Sequence, residues 1–209
     1  MVLYLACACT GCADRVDSGA PVANLPDDPW VAPANASDPR SALFASCASC
    51  HMADGGGRSD GTVPRLAGQR ATIVASKLQK LQSGATFLPV MLPFARALTA
   101  AESQSVADYV AGLPVPRHAA RTDEGAQDYA ALCATCHGAR GEGSDTLLAP
   151  RLCGQHAAYL ERRMDEIVAN VRGDADPAMA AIVGPVPPAT RATIAGWLAG
   201  AACEPEVGS

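Results

Sequence analysis

Apolar residues recur at three- and four-residue steps along much of this chain. Nowhere do apolar and polar positions alternate with the two-residue period of a half-buried strand. Residues 68–83 set Ile73, Leu78 and Leu81 near one helical face, and residues 154–170 do the same with Tyr159, Leu160, Met164 and Ile167. Two apolar-rich segments, "SALFASCASCH" and "AQDYAALCATCH", also read as helices, each followed by a glycine-rich loop, "MADGGGRSDGTV" and "GARGEGSDTLLA". Proline-bearing loops come next, "TFLPVMLPFARAL" and "GDADPAMAAIVGPV", and then the closing helices "TAAESQSVADYVAGL" and "PATRATIAGWLAGAA". Thr99 with Glu102 three positions on forms a capping box, and Pro188 suits a first helical turn. The expected class is all-α.

The pattern occurs twice. At a shift of 86 residues His51 falls on His137, and "PRLAGQ" at 64–69 falls on "PRLCGQ" at 150–155 without a gap. Leu78 then meets Met164 and Leu81 meets Ile167. After a slip of two residues Met91 meets Met179, Leu98 meets Val186 and Tyr109 meets Trp197. The chain is read as a tandem duplication with six segments: a leader at 1–12, a Pro/Ala-rich tether at 13–39, a first domain at 40–112, a linker at 113–124, a second domain at 125–203 and a tail at 204–209.

Composition changes this picture in one respect. Hydrophobic residues make up 49% of the 209 residues but aromatics only 4%, and alanine supplies much of the rest. Alanine-built domains of this size bury little area and need a disulfide, a metal or a large apolar prosthetic group. The net charge of −5, with scattered basic residues, gives no nucleic-acid footprint.

The nine cysteines fall into groups: 7, 9 and 12 near the start, 47 and 50 in "CASCH", 133 and 136 in "CATCH", then 153 and 203. Cysteines three apart with histidine directly after allow covalent haem attachment, part of a zinc site, or a redox dithiol. Zinc needs four ligands, and neither half offers a second Cys/His pair at finger spacing. A thioredoxin-like dithiol expects strands around it, which the pattern lacks. On a helix the two thiols share a face and can bond the two vinyl groups of one haem, with the histidine beneath the iron. Two such pentads at equivalent places of a duplication favour haem.

The pentads, "PRLAGQ"/"PRLCGQ", the paired methionines and the closing helices make residues 40–202 resemble the two-haem class I c-type cytochromes, most closely the cytochrome c4 type. The resemblance implies two cytochrome c-type haem domains and two covalently bound haem c groups, attached through Cys47, Cys50, Cys133 and Cys136. It implies axial ligation by His51 and His137, each with a methionine opposite. Met91 and Met179 align with each other and are the expected ligands; Met52 follows His51 too closely, and Met164 belongs to a helix core. The resemblance further implies that the Pro64 and Pro150 carbonyls orient the histidines, that Arg65 and Arg151 meet haem propionates, and that Tyr109 and Trp197 lie in the haem surroundings. Cys153, where the first half has Ala67, departs from the family pattern; it is expected to bridge Cys203, with a free thiol or a place on the second iron as alternatives. His118 and His156 read as surface residues.

Residues 1–12 look like the end of an export signal, with "TGC" resembling a lipoprotein processing site that would lipidate Cys12. The implied function is a periplasmic electron carrier, tethered or free. It would pass single electrons between respiratory-chain partners, from a quinol-oxidising complex to a terminal oxidase or reductase, and would not be an enzyme by itself. The alternative is a haem subunit of a periplasmic dehydrogenase or a thiosulfate-oxidising cytochrome.

Overall fold

The structure, a computed structural model, describes residues 37–115 and 122–203. The leader with Cys12, nearly all of the tether, His118 and the tail lie outside the described residues. Among those described, helices α1 (Ser41–His51), α2 (Ala71–Ser83), α3 (Leu92–Arg96) and α4 (Ala100–Ala111) build the first half. Helices α5 (Ala126–Leu132), α6 (Ala134–His137), α7 (Ala157–Val168), α8 (Pro177–Val183) and α9 (Pro188–Gly200) build the second. The only extended pairing among the described residues is an isolated bridge between Ser144 and Ala149.

The two cores follow one plan. In the first, α4 packs on α1 and α2, joining Phe44, Val74, Val106, Tyr109 and Val110. In the second, α9 packs on α5 and α7, joining Tyr129, Leu160, Ile194, Trp197 and Leu198. An aromatic pair locks each pentad helix to its closing helix. Phe44 and Tyr109 have ring centroids 5.4 Å apart, and Tyr129 and Trp197 are at 4.7 Å. These tilted contacts add to what burial alone provides. The Thr99–Glu102 capping box is present at the start of α4, and Pro188 occupies the first turn of α9.

Local structure departs from the sequence pattern in two places. Both methionine loops, expected as loops, contain short helices, α3 and α8; each has proline in its first turn, where a missing N–H costs nothing. The second pentad helix is broken at Cys133, whose φ of −120° separates α5 from α6, whereas α1 runs unbroken through the first pentad.

Candidate haem-binding sites

Each pentad ends its helix at a histidine whose ring is held from behind. Nδ1 of His51 donates to the Pro64 carbonyl at 2.9 Å, and Nδ1 of His137 donates to the Pro150 carbonyl at 3.0 Å. Both rings are buried. Burial pushes the two imidazoles below their ordinary pKa, against the opposing pull of the carbonyl hydrogen bonds, so both are neutral at pH 7. Fixing Nδ1 as the donor leaves Nε2 as the lone-pair nitrogen, the form that binds a metal.

Equivalent backbone bonds shape the loop that presents each proline. Gly57 N–H reaches the His51 carbonyl at 3.0 Å and Gly143 N–H reaches that of His137 at 2.8 Å. Both glycines have positive φ. A Cβ on Gly57 would lie 2.6 Å from the Pro64 oxygen, and one on Gly143 would lie 2.8 Å from the Pro150 carbonyl carbon. Only glycine lets the loop come this close to the histidine's support.

No pentad cysteine pairs with another. Burial raises the Cys47 thiol above its ordinary pKa and pushes Cys133 up to about 11, while Cys50 and Cys136 lie exposed. Thiols three positions apart within about one helical turn, next to a neutral histidine with a free Nε2, fit covalent haem c. Among the described residues no group of three or more His, Cys, Asp or Glu side chains forms a metal cluster of another kind.

The methionines sit in unlike settings. Met91 is the residue capping α3, and its carbonyl accepts from Ala95 N–H at 3.0 Å. Met179 lies in the first turn of α8, where the Asp176 carboxylate accepts from the Ala178 and Met179 N–H groups at 2.8 and 3.3 Å. Met164 packs against the second core cluster.

The halves interlock through the repeated hexapeptides. The Gln155 side chain accepts from Arg65 N–H at 2.9 Å and donates to the Arg65 carbonyl at 3.0 Å. Gln69 does the same to Arg151, at 2.9 and 3.0 Å. Each glutamine therefore clamps the residue directly after the proline that supports the other half's histidine. Both glutamines were visible in the sequence as identical repeat positions, but nothing local gave them a role.

The Arg65 guanidinium is buried and donates to the Gly154 carbonyl across the same interface. Its burial pushes it down to about 10, still protonated at neutral pH. His156, read from the sequence as a surface residue, is half-buried and donates from Nε2 to the Gly56 carbonyl at 2.8 Å. Tyr109 and Trp197 occupy the helix–helix cores. Cys153 and Cys203 form a disulfide that ties the end of α9 to the second hexapeptide, and the sulfur of Cys153 is engaged there. No helix among the described residues is long and apolar enough to cross a membrane.

Comparison with known proteins agrees with this geometry. The cytochrome c family profile matches residues 122–199, and the profile of subunit III of cbb3-type cytochrome c oxidase matches residues 34–110. The thiosulfate dehydrogenase electron acceptor of Stutzerimonas stutzeri is 35% identical over 134 residues, covering 57% of this chain and 62% of that protein. The protein of the same description from Thiomonas intermedia is 35% identical over 155 residues, 65% of this chain and 68% of that one. The crystal structure of reduced cytochrome c4 from Pseudomonas stutzeri superposes with a TM-score of 0.72 over 78% of this chain and 97% of that one, at 21% identity, a likeness of fold. The duplicated frame around His51 and His137, the two matched profiles and these relatives place the chain in the family of dihaem c-type cytochromes, with one haem c bound through Cys47 and Cys50 and a second through Cys133 and Cys136.

Proposed function

We propose that this chain is a periplasmic one-electron carrier working between respiratory-chain partners, a quinol-oxidising complex on one side and a terminal oxidase or reductase on the other. The observation that carries the reading is the crossed Gln69/Gln155 clamp. It holds the two histidine-supporting loops against each other. A bound haem would supply a one-electron couple; the chain joins the two histidine-supporting loops that would hold the two haems. We assign His51 and Met91 to the first iron and His137 and Met179 to the second. A thioether with an imidazole would give a higher potential than two imidazoles and would leave no ligand position for substrate, which favours electron transfer over substrate chemistry. We assign Arg65 and Arg151, whose backbone the clamp holds, to the haem propionates.

A second reading follows from the relatives described as thiosulfate dehydrogenase electron acceptors. Here the donor is a thiosulfate-oxidising enzyme. The Cys153–Cys203 disulfide argues against a version in which Cys153 itself ligates the second iron.

Rapid mixing of the haem-loaded protein tests the proposal. Reduction by a quinol-oxidising membrane fraction, followed by reoxidation by a terminal oxidase, is the expected result. Reduction only by thiosulfate together with its dehydrogenase favours the second reading. Turnover of thiosulfate by this chain alone overturns the carrier role. Redox titration of Met91→Ala and Met179→Ala tests the ligands: each should lower one haem's potential and remove one methionine-to-iron absorption band.

A further inference from the structure

The loop that carries Met91 and the loop that carries Met179 touch, although they belong to different halves. Thr86, five residues before Met91, is 3% exposed, and its hydroxyl donates to Asp174 Oδ2 at 3.0 Å. Asp174 stands five residues before Met179. The neighbouring Phe87 N–H donates to the Arg172 carbonyl at 2.8 Å, so the contact includes backbone as well as side chains.

Asp174 is built in. Its side chain is 3% exposed. Lys77 of α2, in the first half, approaches the same Oδ2 at 3.0 Å, and Arg163 of α7 approaches Oδ1 at 3.0 Å. Both carboxylate oxygens are thus occupied, by two groups of the first half and one of the second. A carboxylate taken out of water is costly unless it is met in this way, and meeting it fixes the positions of its partners. Behind it, Arg163 and Arg172 share Glu166, which fixes the cationic side of the network.

We propose that Asp174 is a positioning residue that joins the two methionine loops into one unit, so that the distal side of each haem responds to a change made in the other half. The inference rests on Met91 and Met179 being the distal ligands. It is distinct from the glutamine clamp, which joins the halves on the histidine side.

The test uses the full haem-loaded chain, with each haem's midpoint potential and methionine-to-iron band as readouts and the single methionine variants assigning the bands. Thr86→Val and Asp174→Glu leave the net charge unchanged, so they separate positioning from simple electrostatics. Each is expected to shift the potentials of both haems and to weaken both bands, and Thr86→Val should add nothing once Asp174→Ala is present. Thr86→Val is conservative and keeps the question answerable if the Asp174 variants fold poorly. Unchanged potential and band of the first haem in Asp174→Glu, or of the second in Thr86→Val, overturns the coupling alone. Retention of both bands in Met91→Ala and Met179→Ala overturns the ligand assignment and the coupling with it.

Discussion

The two methionine loops are held in place by different chemistry. In the first half an uncharged amide secures the loop: Gln82 Nε2 is shared among the Ala95 and Leu98 carbonyls and Ser103 Oγ, at 3.0, 2.9 and 3.1 Å. In the second half the equivalent position is the exposed Val168, and the loop is secured by charge, the buried carboxylate of Asp174 and the part-buried one of Glu166. The cores differ in the same sense. The first half has an unbroken pentad helix and the larger buried cluster. The second has a helix broken at Cys133, a smaller cluster and a disulfide. After duplication, the half with less apolar burial carries the covalent and ionic staples, as expected where the hydrophobic core alone is marginal.

The largest test of this contrast removes the disulfide. Cys203→Ala should lower the stability of the second half by about 2–4 kcal/mol, because the bridge closes a loop of 50 residues. Calorimetry should then resolve two transitions, with the second half melting first; one unsplit transition at the original temperature would remove the staple from the account.

Gln82→Ala should cost about 1–3 kcal/mol, since the Leu98 carbonyl and Ser103 Oγ lose their amide donor while the Ala95 carbonyl keeps only backbone partners. It should disturb the first haem's methionine band more than the second's, and an equal effect on both would erase the distinction between the loops.

Acid should do the reverse. Burial opposes the charged form of Asp174, but Lys77 and then Arg163 outweigh it and hold the carboxyl well below the ordinary carboxylate range. A depressed folded-state pKa gives stability that is complete above the ordinary value of about 4 and is lost as pH falls towards the folded value. Asp145, paired with Arg70 and Thr72 across the halves and held at about 2, loses its contribution in the same window. Below about pH 4 the second band should therefore weaken before the first in a spectroscopic titration, and loss of the first band ahead of it would contradict the assignment of charges to loops.

The smallest expected effect concerns the residue after each histidine. Met52 and Gly138 share a conformation, with φ of 65° and 82° and ψ of 157° and 161°, that suits glycine alone. Met52→Gly should relieve about 1–3 kcal/mol of strain. It also gives up burial worth about 1.5–3 kcal/mol. A net change within about 1 kcal/mol in denaturant unfolding is expected; a large loss would mean that the Met52 side chain, not the backbone, holds that turn.

The all-α class, the duplication and the haem attachment were legible because their signals are local or self-referential. Helical faces repeat every three or four residues, a C-x-x-C-H pentad is one helical turn, and an internal repeat supplies its own comparison. Pro64 and Pro150, whose carbonyls meet the histidines, were legible for the same reason, as matched positions. The tertiary structure alone decided how the halves meet. Gln69 and Gln155 act on backbone 82 and 90 residues away, His156 on a carbonyl 100 residues away, and Asp174 on side chains 88 and 97 residues away. Such contacts have no period in the sequence. A glutamine or aspartate looks the same there whether it faces water or another domain, and only packing, which withdraws it from water, fixes the partner it must find.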